Sequence, residues 1–294
     1  MTATPLAAGL FHRAIGESGA GFAPMSELRE AVHGVSAAMD EGSRFMADAG
    51  VENLEALRAL TAAEVLEVAA RSTAQVARPV VDGWVFPMQI SRIFAAGKHN
   101  NVDLMVGSNA DEGTNLLPPP KDAASAGAML DDFIGADFAG AVKAAYNFEE
   151  DFAKAYYGAF RDVVFTWEMR EWARAARRQT PNVYRYYFSF VPSQPMGGRL
   201  GAFHAAEIQY VFNNLGLMGS ADDRDRRLGD LMSDYWVSFA ATGRPQAEGG
   251  PEWPRFDVDS DAYLEFGETL GAGTQLMPEH LDLIGRVIEA RYED

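Results

Sequence analysis

Asp103–Thr114 reads DLMVGSNADEGT. The run Asp103 to Ser108 is short and apolar, the composition of a parallel strand covered on both faces. A turn follows at once and carries Glu112. Ligands of open parallel sheets bind beyond the carboxyl ends of the strands, so an acid delivered there stands where chemistry is done. Its neighbour Asp111 is the rival acid and reads as a turn or capping residue. A DEG triplet by itself is most often a solvated turn, so the rest of the chain must decide.

Working outward, Phe11 to Ser18 suits a buried strand that ends in a glycine-bounded turn. Ser26 to Ala49 reads as an amphipathic helix, with Leu28, Val32, Val35, Met39 and Phe45 near helical spacing. Thr61 followed by Glu64 predicts the cap of another helix. Val80 to Pro87 is a turn between apolar pairs, and Pro118 to Pro120 mark a loop. Ala124 to Gln179 is helical in pattern. Val183 to Val191 (VYRYYFSFV) has the aromatic and β-branched content of a strand. Leu228 to Ala241 is helical, Ala262 to Phe266 is a last strand, and Glu279 to Tyr292 a closing helix. Strands separated by long helical stretches imply an α/β fold with a mostly parallel sheet and flanking helices. Three or four strands are few for 294 residues, which suggests an incomplete sheet.

The bulk numbers exclude several function classes. Net charge is −17, and an acidic surface repels phosphate backbones, so nucleic acid is not an expected partner. The absence of cysteine excludes disulfides, thiolate ligands and a cysteine nucleophile. No apolar run approaches the ~18 residues of a membrane span, so no membrane partner is expected. The opening MTATPLAAGLF has no charged n-region and is no ordinary signal peptide; the cytoplasm is slightly favoured. No His/Asp/Glu cluster has metal-ligand spacing, and no glycine-rich nucleotide loop occurs, so neither metal nor cofactor is expected.

Of the five histidines, only His204 sits among glycine and small residues (Gly201, Ala202, Ala205, Ala206), where a ring stays accessible. Ser18, Glu112 and His204 follow one another in the chain order of the α/β-hydrolase triad. Gly16-Glu17-Ser18-Gly19-Ala20 imitates a G-x-S-x-G elbow. A true elbow leads straight from strand into helix, whereas here Gly19, Gly21 and Pro24 delay any helix to about Met25.

The surrounding words carry a resemblance. PLAAGLFHRAIGESGA (Pro5–Ala20) resembles a stretch of type-B carboxylesterases, the family of para-nitrobenzyl esterases and cholinesterases, that reads S-P-x-x-x-G-L-F-H-R-A-I-x-Q-S-G. RPVVDGWVFP (Arg78–Pro87), VGSNADEGT (Val106–Thr114), GAFHAAEIQYVF (Gly201–Phe212), YWVSFAATG (Tyr235–Gly243) and WPRFD (Trp253–Asp257) are similar to its later segments, in the same order. The resemblance implies that Glu112 is the triad acid and His204 the base. It implies that Ser18 is a supporting serine hydrogen-bonded to the acid, and that Glu207 is a second buried glutamate near the site. Glu17 stands where the family usually has Gln. The family's elbow F-G-E-S-A-G and oxyanion-hole H-G-G-G do not occur in this sequence. Residues 1–294 are therefore expected to form the C-terminal portion of a carboxylesterase type B domain whose nucleophile lies upstream of Met1. The expected substrate is a small-molecule carboxylic ester. A sheet edge left open near residue 15 favours association. A non-catalytic remnant or binding module of the same fold is the alternative, and a self-contained esterase using Ser18 ranks last.

Overall fold

The computed structural model describes residues 1–19, 21–216 and 219–293. In chain order its elements are β1 (Arg13–Glu17), α1 (Ala38–Ala49), α2 (Leu54–Ala59), α3 (Ala62–Arg71), α4 (Ile90–Ala95), β2 (Asp103–Asn109), α5 (Ala123–Ile134), α6 (Ala136–Ala145) and α7 (Phe152–Arg161). A π-helical segment, Asp162–Thr166, joins α7 to α8 (Trp167–Arg177). Then come β3 (Val183–Phe188), α9 (Pro195–Leu200), α10 (Ile208–Val211), α11 (Asp223–Thr242), β4 (Tyr263–Phe266), β5 (Gly271–Gly273) and α12 (Pro278–Glu293).

The strands lie side by side in sequence order. β1 to β4 are parallel, and β5 turns back antiparallel on β4. Parallel neighbours need long crossovers, and the helical stretches between strands supply them. The period of two then sorts the side chains into two layers. Leu104, Val106 and Val183 face Met169, Ala173 and Ala176 of α8. Met105, Tyr184, Tyr186 and Phe188 face Met232, Tyr235, Trp236 and Phe239 of α11. The central strands β2 and β3 are thus covered on both sides, as their apolar runs require.

Several expectations need correction. The helix read over Ser26–Ala49 begins only at Ala38. His33 and Gly34 take positive φ (52° and 69°), which breaks a helix, and the chain before them forms an isolated bridge from Glu27 to Val81. The apolar spacing there reflects packing of an irregular segment. The helical reading of Ala124–Gln179 holds in kind, with breaks at Gly135, at Tyr146–Asp151 and at the π segment. Thr61 and Glu64 do form a reciprocal capping box. The strand β5 adds a fifth member beyond Ala262–Phe266.

Among the described residues β1 pairs with β2 alone, so it lies at the sheet edge expected near residue 15; the reading of Phe11–Ser18 as buried is corrected, since the strand is half-exposed, with Ile15 37% accessible. Leu10 just before it is 72% exposed. An edge strand with free N–H and C=O groups and an outward apolar residue is a template for pairing with another chain. Light scattering of the purified chain is therefore expected to detect self-association, and Ile15→Lys, which places a charge on the edge, to shift it towards monomer. Monodisperse wild-type monomer would contradict this.

Candidate active site

Ser18, Glu112 and His204 all lie beyond the carboxyl ends of adjacent strands. Ser18 directly follows β1, and its N–H extends the ladder to the Gly107 carbonyl at 2.9 Å. Glu112 lies on the loop after β2, and His204 on the loop between α9 and α10, after β3. The parallel sheet brings together residues that are 94 and 92 positions apart.

Glu112 is fully buried and its two oxygens are divided between partners. Oε1 accepts from the Ser18 hydroxyl and from the Asn109 backbone N–H, the latter at 2.7 Å. Oε2 meets His204 Nδ1 at 2.6 Å. This bond raises the His204 pKa above the ordinary imidazole value, against an opposing push from burial. The ring stacks on Phe165 with centroids 5.0 Å apart. Its backbone is pinned from both sides by the Asn115 side chain, whose Oδ1 accepts the His204 N–H and whose Nδ2 donates to the His204 carbonyl. With Nδ1 occupied and 31% of the side chain exposed, Nε2 is the nitrogen left to face outward; among the described residues none is hydrogen-bonded to it. A histidine fixed by a buried carboxylate at one nitrogen and open at the other has the geometry of a general base.

The structure puts Ser18 against Glu112, not against His204. It does occupy a tight turn, with φ of 52°, a feature shared with a nucleophile elbow. No helix follows, however: the next one starts at Ala38, further on than the expected Met25. Ser18 is also only 7% exposed. Glu207 is buried beside Glu112 and accepts from the Asn109 side chain, whose Nδ2 also holds the Phe203 carbonyl at 2.9 Å. Burial pushes the Glu207 carboxyl up to about 7.

Sequence reasoning missed the residues that dock the two loops. Asp111 is a clamp more than a turn residue: its N–H bonds the Ala202 carbonyl at 3.0 Å and its Oδ2 accepts the Ala202 N–H at 2.8 Å. Gly201, at φ 73°, makes this possible, because a Cβ there would sit 2.1 Å from that oxygen. Thr114 donates to the Leu200 carbonyl at 2.7 Å. Behind the loop, Arg161 forks onto Asp162 at 2.7 and 2.8 Å and donates to the Ala110 carbonyl at 3.1 Å. The π segment containing Asp162 and Phe165 is in turn tied to β2 through Ser108 and Thr166 at 3.1 Å. Apart from the Arg161–Asp162 pair, the partners in these contacts lie 51 to 91 residues apart, so a local sequence window carries no signal for them.

The model of a family described as "Carboxylesterase family" matches residues 1–284 of this chain. Among curated proteins, a duck (Anas platyrhynchos) medium-chain fatty acyl-CoA hydrolase precursor is 29% identical over 99% of this chain and 56% of its own length. A fumonisin B1 esterase from Sphingopyxis macrogoltabida is 30% identical over 93% of this chain and 51% of its own. The chain thus spans about half the length of the curated relatives it matches. Among solved structures, EstA of Aspergillus niger superposes with a TM-score of 0.79 at 19% identity, covering 99% of this chain and 61% of that one. A PNB esterase gives 0.77 at 24% identity, covering 96% and 60%. These likenesses establish the α/β-hydrolase fold.

The geometry makes two predictions. In an NMR titration of the imidazole nitrogens, His204 is expected to titrate above the ordinary histidine range, and Glu112→Gln to bring it down, because its largest raising cause, the bond to Glu112, is then lost and burial is opposed by the Glu207 charge alone. Asp111→Ala leaves the buried Ala202 N–H without its side-chain acceptor, so urea unfolding is expected to record a loss of about 1–3 kcal/mol. An unshifted His204, or no loss of stability, would count against the arrangement described.

Proposed function

This chain belongs to the carboxylesterase family, and from that premise we propose that it is the C-terminal portion of a carboxylic ester hydrolase domain, with Glu112 as acid and His204 as base of a Ser-Glu-His triad. The serine is supplied by a segment outside these 294 residues. The observation that supports this best is the buried Glu112 carboxylate bonded to His204 Nδ1 at 2.6 Å, with the other ring nitrogen turned outward.

The mechanism follows from these groups. Nε2 takes the proton of the serine hydroxyl as that oxygen attacks the ester carbonyl, and returns it to the leaving alcohol. Water repeats the cycle on the acyl-enzyme. Glu112 keeps the Nδ1–H tautomer and stabilises the imidazolium formed in each transfer. Ser18 and the Asn109 N–H hold the carboxylate in place by bonding its other oxygen. Phe165 fixes the plane of the ring. Because a base must be neutral, activity should rise with pH through the elevated His204 pKa.

The reading of Ser18 as nucleophile finds no support in this geometry, since its hydroxyl donates to the acid and is nearly buried. The purified chain is therefore expected to show negligible hydrolysis of para-nitrophenyl esters and no stoichiometric labelling by a fluorophosphonate. Co-expression with the upstream half of a related esterase is expected to produce activity that falls about 10⁶-fold in His204→Ala. Labelling of the chain alone that disappears in Ser18→Ala would overturn the assignment. A binding module without catalysis is the outcome if complementation yields a stable complex but no turnover.

A further inference from the structure

The peptide between Phe203 and His204 decides where the His204 ring stands, and it is held on both sides. The Phe203 carbonyl accepts from Asn109 Nδ2 at 2.9 Å, and the His204 N–H donates to Asn115 Oδ1 at 3.2 Å. The two asparagines lie three residues before and three residues after Glu112. One short stretch of chain thus grips the backbone of His204 while its carboxylate takes the ring. The chain leaves His204 through Ala205, a non-glycine residue at φ 73°. A residue with a β-carbon stays in that left-handed region only where its surroundings over-determine it.

The two asparagines are not equivalent. Asn115 is exposed, so water competes for its bonds, whereas Asn109 is fully buried. The Asn109 amide has one workable orientation. Turned over, its oxygen would meet the Phe203 carbonyl, which has no proton to give. Glu207, buried as well, accepts the second Nδ2 proton. Both donors are therefore engaged, while Oδ1 has no partner among the described residues. It is the donors that fix the amide. The backbone N–H of the same residue bonds Glu112 Oε1 at 2.7 Å. Asn109 thus meets the acid through its main chain and the peptide of the base, 94 residues on, through its side chain.

We propose that Asn109 is a positioning residue: its side-chain amide, oriented by Glu207, sets the Phe203–His204 peptide and with it the reach of His204 Nδ1 to Glu112. Glu207 acts here as a hydrogen-bond acceptor and not through its charge. A peptide released from Asn109 lets the ring drift, and the bond to Glu112 weakens as its length and angle depart from the optimum. The value of this to catalysis rests on the reading of Glu112 and His204 as acid and base. The linkage itself is read on this chain without any turnover.

The test follows the His204 Nδ1–H by NMR of the ¹⁵N-labelled full chain, above the pH at which the ring titrates. Asn109→Ala keeps the backbone N–H to Glu112 and removes both amide donors. It is expected to speed exchange of the Nδ1–H with solvent about tenfold, the order of factor that one hydrogen bond is worth. Exchange of the β3 backbone amides is expected to stay as in the wild type. Glu207→Leu is expected to do the same, because the Asn109 amide loses the acceptor that orients it. Glu207→Gln loses the same charge but keeps an acceptor oxygen, and is expected to preserve wild-type exchange. If Asn109→Ala fails to fold, the two Glu207 variants read the same linkage. Wild-type Nδ1–H exchange in Asn109→Ala or Glu207→Leu would overturn the proposal. So would equal acceleration in Glu207→Gln and Glu207→Leu, which traces the effect to charge, or acceleration spread equally over the β3 amides, which makes the role purely structural. In the complemented enzyme Asn109→Ala is expected to lower kcat about 10–100-fold with KM unmoved. Failure of the esterase reading would appear instead as a wild-type complex without turnover, with the exchange results on this chain unchanged.

Discussion

The buried carboxylate of Glu112 is the group on which the site is built. Moving a carboxylate out of water is costly, and removing the partner of a buried charge leaves a penalty of about 3–5 kcal/mol. The fold meets this cost by drawing one partner from each of three successive strand ends. Ser18 comes from the end of β1, the Asn109 N–H from the end of β2, and His204 from the loop after β3. The three bonds act as a crosslink between parallel strands at the point where the sheet's own hydrogen bonds run out.

Two short loops must be held against each other for that crosslink to form, and backbone contacts do most of the holding. Asp111 takes and gives a hydrogen bond at Ala202, and Asn115 does the same at His204. Backbone partners tolerate little drift, because the donor and acceptor used are the N–H and C=O of one residue. Arg161 then ties the acid loop to the π segment, which presents Phe165 to the histidine ring. π segments are rare and gather at functional sites. Here the segment lets one short stretch bury Asp162 against Arg161 and place Phe165 on His204.

The sheet is asymmetric in a way that bears on the whole molecule. β2 and β3 are sealed between α8 and α11, while β1 keeps one side open. Yet β1 carries two residues of the site region, Glu17 at its end and Ser18 just beyond it, both turned inward to Trp236 and Glu112. The inner face of an exposed strand thus contributes to the hydrogen-bonded cluster around Glu112. Whatever covers the outer side of β1 acts on that cluster through a single strand.

The sequence by itself determined the α/β class, the strands β2 to β4, the capping box at Thr61, and Glu112 and His204 as the candidate acid and base. Those features are written in local patterns: continuous apolar runs, cap spacing, and short words in a set order. The open edge near residue 15 was expected only from the resemblance, and the half-exposure of β1 was not legible in its own residues, because the apolar pattern of Phe11–Ser18 is the same for an edge strand as for a central one. Nor was the helix start at Ala38, since the period of Leu28 to Met39 does not register the positive φ at His33 and Gly34. The Asp111 clamp and the stacking of Phe165 on His204 were decided only in three dimensions. Each depends on which strands become neighbours and in what register, a choice made by the packing of whole helices on the sheet and invisible in any window of the chain.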